Sequence, residues 1–573
     1  MGSGLFDQRA LLKTLLLLVA LGADYPAMGA RIGSLGLSPS LLLYIGLYGL
    51  LAATLWVAAF IERGAVRWSV ALLLAAGELL VNAIRTATAD AMSYELFVTM
   101  ILSAGFADDA LAQHGRAILW AGLGAAALLL GIGLRPGTWR PMPRTIAMLA
   151  PLGGVALLAL LLFFRGGEGA RGLPSAMVGA AYSSLFVYEA ATLPAAIRQS
   201  VKLGRSGKED PRDLILIIDE SIAGRYLDIN DPAGVQSGLA APPPGVHVAN
   251  FGLAASITHC SFGSNLTLRH GGTRRAYQQI NAVRPSIFAY AKRAGYATVY
   301  IDAQRTGGAY QNGMDDAERR HIDNFIQFDD TPVLHRDMAV ADALVGALAN
   351  DRREFILVNK MGAHFPVADK YPDSAHIYRP ALPRGENVEV AEMQLPANLY
   401  SGADVWRSYR NAYRNSLRWT VGAFFERLLS DGRIDRGLIL YTADHGQNLH
   451  ERGGDGTTTH CSPAPAAEEG AVPLVLIDTH GRWQKAAQRN FDASSHYRIF
   501  PTLLTAMGYD RAAVRKIYGE GLDAPSRDAN SFNALFHARL GRQPEWVAVR
   551  RAAIARPPAS DHDEKSPSPA PTP

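Results

Sequence analysis

The chain has 573 residues, 49% of them hydrophobic, and a net charge of +4 at neutral pH. That length exceeds one compact core, so at least two domains are expected. So small a charge gives no basis for a nucleic-acid partner, and two cysteines, Cys260 and Cys461, are too few and too far apart for a disulfide framework or a paired-cysteine metal site.

Apolar residues crowd the first third. Residues 40–61, 68–84, 117–134 and 145–164 have the length and apolarity of membrane spans. A fifth segment, residues 10–28, begins with a Leu-rich run but contains Asp24 and Pro26. It reads as a span rather than a signal peptide, because Asp24 and Tyr25 make no small-residue cleavage site. Asp24, and Glu78 in residues 68–84, are acids of the kind that face a bundle interior or an interface. Arg9, Lys13, Arg63, Arg67, Arg135, Arg140 and Arg144 mark one side of the membrane, while the third loop carries Asp90, Asp108 and Asp109. The positive-inside rule then puts the amino terminus in the cytoplasm and everything after Phe164 outside, which in a bacterium is the periplasm. Within the third loop, residues 94–106 are expected to form a membrane-surface helix, a connector helix packed on the bundle being the alternative.

The expected organisation is a transmembrane domain over residues 1–165, a linker over 166–212, a soluble domain over 213–550 and a disordered tail over 551–573. In the soluble domain, strands at 214–218, 297–301, 355–358, 438–442 and 472–477 alternate with helical patterns at 285–294, 338–349 and 405–429. This predicts an α/β domain with a mostly parallel sheet. Its central strand is five aliphatic residues, Leu214 to Ile218, ending in Asp219, Glu220 and Ser221. A strand buried on both faces that ends in acid puts those acids where open α/β sheets carry their chemistry.

Glu220 follows one strand, and Asp444 and His445 follow another. Carboxylate and imidazole delivered from neighbouring strand ends suit Zn²⁺ or a hard dication. His364, just past 355–358, and His460, after a Gly-rich loop, fall in similar positions. The stretch from Ser256 to Asn265 is dense in hydroxyls before a short helix. A Ser at such a helix start lies beside free N–H groups that favour a phosphoryl oxygen, and it can equally be a plain N-cap.

The order of spans, strand with Glu and hydroxyl, hydroxyl-rich helix start, the Gly362–Pro366 loop, the Thr442–Gln447 motif and a late His resembles the bacterial phosphoethanolamine transferases of the alkaline phosphatase and sulfatase superfamily. The resemblance implies an α-helical transmembrane bundle followed by an alkaline-phosphatase-like domain. It implies Zn²⁺ held by Glu220, Asp444, His445 and the nucleophile. It also implies His364 and His460 on the substrate side, where a second divalent metal can bind. The nucleophile is Ser261, with Ser264 the alternative set by a different anchor.

The implied reaction moves phosphoethanolamine from a phospholipid, phosphatidylethanolamine, through a phospho-Ser to lipid A, lipopolysaccharide core or a periplasmic glucan. The implied location is the inner membrane, with the catalytic domain in the periplasm. The chain departs from the family at its missing Thr nucleophile, at Gln447 where the family has an acid, and in lacking several disulfides. Phosphoglycerol transfer, sulfatase or phosphodiesterase chemistry on the same fold, or a catalytically silent envelope-assembly module, are the competing readings. If Ser261 and His460 converge on one metal, Cys260 and Cys461 come near enough for a disulfide; two separate buried thiols are the alternative.

Overall fold

A computed structural model describes residues 8–88, 91–102, 107–137, 142–192, 197–206, 212–384, 403–453 and 458–558. Asp90, the side chains of Asp108 and Asp109, and residues 103–106 and 559–573 lie outside the described residues. The chain forms two units, the first running to Ala195 and also taking in His537–Gln543.

The first unit is helical: α1 (Gln8–Ala23), α2 (Tyr25–Leu35), α3 (Pro39–Ala58), α4 (Gly64–Thr88), α5 (Tyr94–Leu102), α6 (Ala107–Gly133), α7 (Arg144–Phe164) and α8 (Ser175–Thr192). Among the described residues, α3, α4, α6 and α7 are each long and apolar enough to cross a membrane, and α1 with α2, bent by 56°, makes a fifth if the pair is one span. Asp24 sits at that bend. Buried there, its carboxylate accepts from Arg85 Nη1 at 2.9 Å and from the Ser175 N–H at 3.0 Å, which fits an acid facing the bundle interior.

Three features differ from the sequence reading. Residues 166–212 are not all linker: α8 lies within them, and Ser175 to Tyr182 are buried without interruption. The third-loop helix α5 packs on the bundle instead of presenting an apolar face outward, with Tyr94 and Phe97 at 5.4 and 5.5 Å, ring to ring, from Tyr182 of α8. The tail does not begin at Arg551. Ile554 is buried and Arg551 pairs with Asp492, so residues 551–554 are part of the packed second unit.

The second unit is built on a seven-stranded sheet of β1 (Asp213–Asp219), β2 (His247–Ala255), β3 (Ala297–Asp302), β4 (Asn324–Gln327), β5 (Glu354–Asn359), β6 (Gly437–Ala443) and β7 (Ala471–Asp478). Its order is β2-β7-β6-β1-β5-β3-β4, with β7 antiparallel to both its neighbours, β2 and β6, and the other pairs parallel. The aliphatic run of β1 occupies the middle and is buried at every position, as a strand covered on both faces must be. The register aligns Ile218 with Asn359 of β5 and with Thr442 of β6. The residues that leave the sheet next, Glu220, Lys360 and Asp444, therefore emerge side by side at one edge. A two-stranded sheet, β8 (Ser531–Asn533) with β9 (Trp546–Ala548), adds to the periphery.

Candidate active site

Glu220, Asp444 and His445 come together at this edge, each offering a ligand atom within 4.8 Å of the others, and all three are buried. The end of β1 fixes them. The Asp444 N–H donates to the Asp219 carbonyl at 2.9 Å, so the two strand ends stay locked beyond their last paired residues. Asp444 Oδ1 accepts from the N–H groups of Ser221 and His445 at 3.0 and 2.8 Å. Ser221 adopts φ of 63° to make that bond, a left-handed conformation rarely taken by a residue with a side chain. His445 Nδ1 lies 2.8 Å from the Gly446 carbonyl, which can only accept; Nδ1 therefore carries a proton, and Nε2 faces the carboxylates.

Ser261 is the first residue of α9 (Ser261–His270), whose preceding Cys260 supplies no side-chain cap. The first turn of α9, like any helix start, directs its backbone N–H groups away from the helix, where they favour a phosphoryl oxygen. Ser261 Oγ donates to Glu220 Oε1 at 3.3 Å and lies 3.3 Å from His445 Nε2. Ser264, one turn on, points elsewhere: it is buried, donates to the Thr258 carbonyl at 3.1 Å and accepts from the Thr258 N–H. Ser221 Oγ donates to Glu220 Oε1 at 2.9 Å, so the nearest hydroxyl in sequence holds a carboxylate in place.

The two remaining histidines border the same cluster. His460 stacks on His445 with ring centroids 4.3 Å apart and planes at 22°. His364 is half-buried, and its charge acts on Glu220. Its loop folds over β1: the Ala363 N–H donates to the Glu220 carbonyl at 3.0 Å. A Cβ at Gly362, where φ is 53°, would stand 2.5 Å from that carbonyl oxygen, so only glycine lets the loop approach so closely. Cys260 and Cys461 form a disulfide with Cα atoms 5.1 Å apart.

Two partners were not visible in the sequence. Gln304, beyond the end of β3, donates through Nε2 to Glu220 Oε2 at 3.0 Å and to the Lys360 carbonyl at 2.7 Å. The one signal for it is a polar residue just past a parallel strand. Lys360, fully buried, pairs with Asp219 at 2.7 Å, and Tyr441 donates to the same carboxylate at 3.0 Å. Asp219 is thus engaged beneath the site, while Glu220 faces into it.

The electrostatics of the cluster fit a bound dication. Burial and the Glu220 charge push Asp444 up to about 7. Against its burial, the Asp444 and Glu220 charges raise His445 to about 9. Asp444 Oδ2, fully buried, has no hydrogen-bond donor among the described residues. Two carboxylates, an inward imidazole nitrogen and an adjacent hydroxyl form an oxygen-rich set with one nitrogen, suited to Zn²⁺ or a comparable ion.

The sulfatase family model matches residues 247–509, which contain β2 to β7 and most of these residues. The Kdo(2)-lipid A phosphoethanolamine 7''-transferase of Escherichia coli K12 is 24% identical over 271 residues, 44% of this chain and 44% of that protein. Its counterpart from Salmonella typhimurium is 24% identical over 233 residues, 38% of this chain and 36% of that protein. The aligned part thus spans less than half the length of either curated relative. Among solved structures, the integral membrane lipooligosaccharide phosphoethanolamine transferase A of Neisseria meningitidis superposes with a TM-score of 0.61, at 17% identity, over 88% of this chain and 96% of that one. That likeness establishes the fold, apolar helices followed by an alkaline-phosphatase-like α/β domain. The class these findings define is a chain with a sulfatase-type domain preceded by helices apolar enough to cross a membrane. Within that class, the chain is similar to phosphoethanolamine transferases in sequence and in fold.

Proposed function

We propose that this protein transfers phosphoethanolamine from phosphatidylethanolamine to an envelope glycolipid or glycan, at the periplasmic face of the inner membrane, through a phosphoserine at Ser261. The observation that carries the reading is the meeting of Ser261 Oγ with Glu220 Oε1 and His445 Nε2, 3.3 Å from each. Apolar helices in the same chain support a lipid donor, and the names of both curated relatives support the head group and a lipid A-like acceptor.

Glu220, Asp444, His445 and Ser261 would hold the metal. A Zn²⁺ bound there would lower the pKa of the Ser261 hydroxyl and offset charge on the phosphoryl oxygens. Ser261 Oγ, its proton passed to solvent, attacks the donor phosphorus, and the bond from phosphorus to the diacylglycerol oxygen breaks. That oxygen takes a proton from His364 or His460. Backbone N–H groups at the start of α9 receive a phosphoryl oxygen. In the second half, the acceptor hydroxyl gives its proton to the same imidazole and attacks phosphorus, and Ser261 Oγ departs.

The test is incubation of the purified full chain with head-group-labelled phosphatidylethanolamine, followed by peptide mass spectrometry. A phosphoethanolamine adduct on Ser261 is expected. An adduct on Ser264 would move the nucleophile by one helical turn, and a glycerol-bearing adduct from phosphatidylglycerol would identify the neighbouring transferase chemistry. No adduct from any phospholipid overturns the reading.

A further inference from the structure

We propose that the Cys260–Cys461 disulfide is a positioning element of the active site, fixing the segment that carries His460 against the turn that carries Ser261. The proposal rests on the reading of Ser261 and His460 given above. Cys260 immediately precedes Ser261, and Cys461 immediately follows His460. The bond thus spans 201 residues of sequence to join the immediate neighbours of two residues assigned to the chemistry.

The His460 segment needs such a tie. Residues 458–462 lie outside the helices and strands of the unit. Hydrogen bonds hold it as well: the Cys461 N–H donates to the His259 carbonyl at 3.1 Å, His259 Nε2 lies 3.1 Å from the Ser462 carbonyl, the Asn448 N–H donates to the Thr459 carbonyl at 2.8 Å, the Ser462 N–H donates to Glu469 Oε2 at 3.2 Å, and His450 Nε2 lies 3.0 Å from the Thr458 carbonyl. Two of these run to His259, the residue before Cys260, so disulfide and hydrogen bonds grip the same pair of short stretches. Cys461 itself has φ of 51°, a left-handed conformation that a side-chain-bearing residue keeps where its surroundings impose it. The outcome is the His460 ring stacked on His445. An imidazole that must meet a leaving oxygen loses rate steeply when displaced by even one ångström, so a covalent tie one residue away acts on the chemistry and not only on stability.

The experiment uses the full chain in detergent and three readouts. Thiol titration of the denatured, unreduced protein should find no free thiol; two free thiols overturn the proposal. In Cys260→Ser/Cys461→Ser, hydrogen exchange at the amides of Cys461 and Asn448 should quicken by about tenfold or more while the amides of β1, β5 and β6 keep their protection. Unchanged exchange at those two amides overturns it. Lipid-donor turnover should fall about 100-fold in kcat with KM little changed; unaltered kcat overturns it. The single variant Cys461→Ser repeats the comparison with one cysteine retained. Loss of protection throughout the sheet in both variants would make the disulfide a stability element only and overturn the positioning role. A wild-type protein that transfers nothing, yet shows the exchange difference, defeats the transfer reaction and leaves the positioning intact.

Discussion

Glu220 divides its two oxygens: Oε1 faces Ser261 and His445, and Oε2 accepts from Gln304. The amide bond fixes which oxygen is presented to a metal, and such supporting contacts carry about 10–100-fold in metal affinity. Gln304→Leu should therefore weaken Zn²⁺ binding by about that factor in a competition titration against a chromogenic chelator. Melting in excess Zn²⁺ should stay close to wild type. His496 makes a second prediction at this scale. Burial holds its pKa down to about 3, and its Nε2 lies 2.8 Å from Thr442 Oγ1. Unfolding returns the ring to about 6.5, so between these values the unfolded chain binds the extra proton. Stability from this group is complete above about pH 6.5 and falls toward pH 3 by at most about 1.4 kcal/mol per pH unit. His496→Gln should flatten that part of the melting profile between pH 6.5 and pH 5, as read by circular dichroism. That Glu220, Asp444 and His445 would meet was legible because each carboxylate or imidazole follows closely on an aliphatic run. Gln304 was not, since it reaches Glu220 only through the pairing of β3 with β5 and β5 with β1. Ser261 and Ser264 are one helical turn apart, and only the orientation of α9 separates them.

The strands were readable for a related reason. Aliphatic runs such as 214–218 and 438–442 are buried on both faces, so they stand out without any alternation. Helix α8 failed the converse test. It is rich in Ala and Ser, is buried on all sides over its first half and has no apolar stripe, so its sequence resembles a linker. Its small residues matter in packing: a Cβ on Gly179 would lie 2.3 Å from the Gly77 Cα of α4, backbone against backbone. Gly179→Ala should therefore push α4 and α8 apart and cost about 1–3 kcal/mol, even though alanine is the better helix former. Gly122→Ala in α6, with nothing within 4 Å of the added carbon, is the control and should be neutral or slightly stabilising. Thermal unfolding of the two variants in the same detergent checks the difference; equal melting temperatures would rule out the close α4–α8 contact.

At the scale of the whole chain, the sequence reads as consecutive segments, whereas the structure interleaves them. His537–Gln543 belongs with the helical unit: the His537 N–H donates to Glu95 at 3.2 Å, Arg539 pairs with Glu189 at 3.2 Å and Arg542 with Glu168 at 2.7 Å. Partners hundreds of residues apart leave no periodic trace, so this return was invisible beforehand. The proposed metal site has the same long-range character. Glu220, Ser261 and the Asp444–His445 pair come from three separate stretches that meet only when β1, α9 and β6 are in place. A ligand shared by all three binds the folded chain and not the unfolded one, so its binding free energy adds to stability. At about 100 times the dissociation constant the gain is about 2.7 kcal/mol. For a domain of this size that corresponds to a melting shift of roughly 5 °C. Removing metal with a chelator should lower the melting temperature of the catalytic unit by about that much, and Zn²⁺ should restore it at one equivalent. Asp444→Asn should melt at the same temperature with chelator or with Zn²⁺, because it lacks the ligand that completes the set. A wild-type melting temperature indifferent to chelation, in protein shown by elemental analysis to have lost its metal, would rule out a metal that joins β1, α9 and β6.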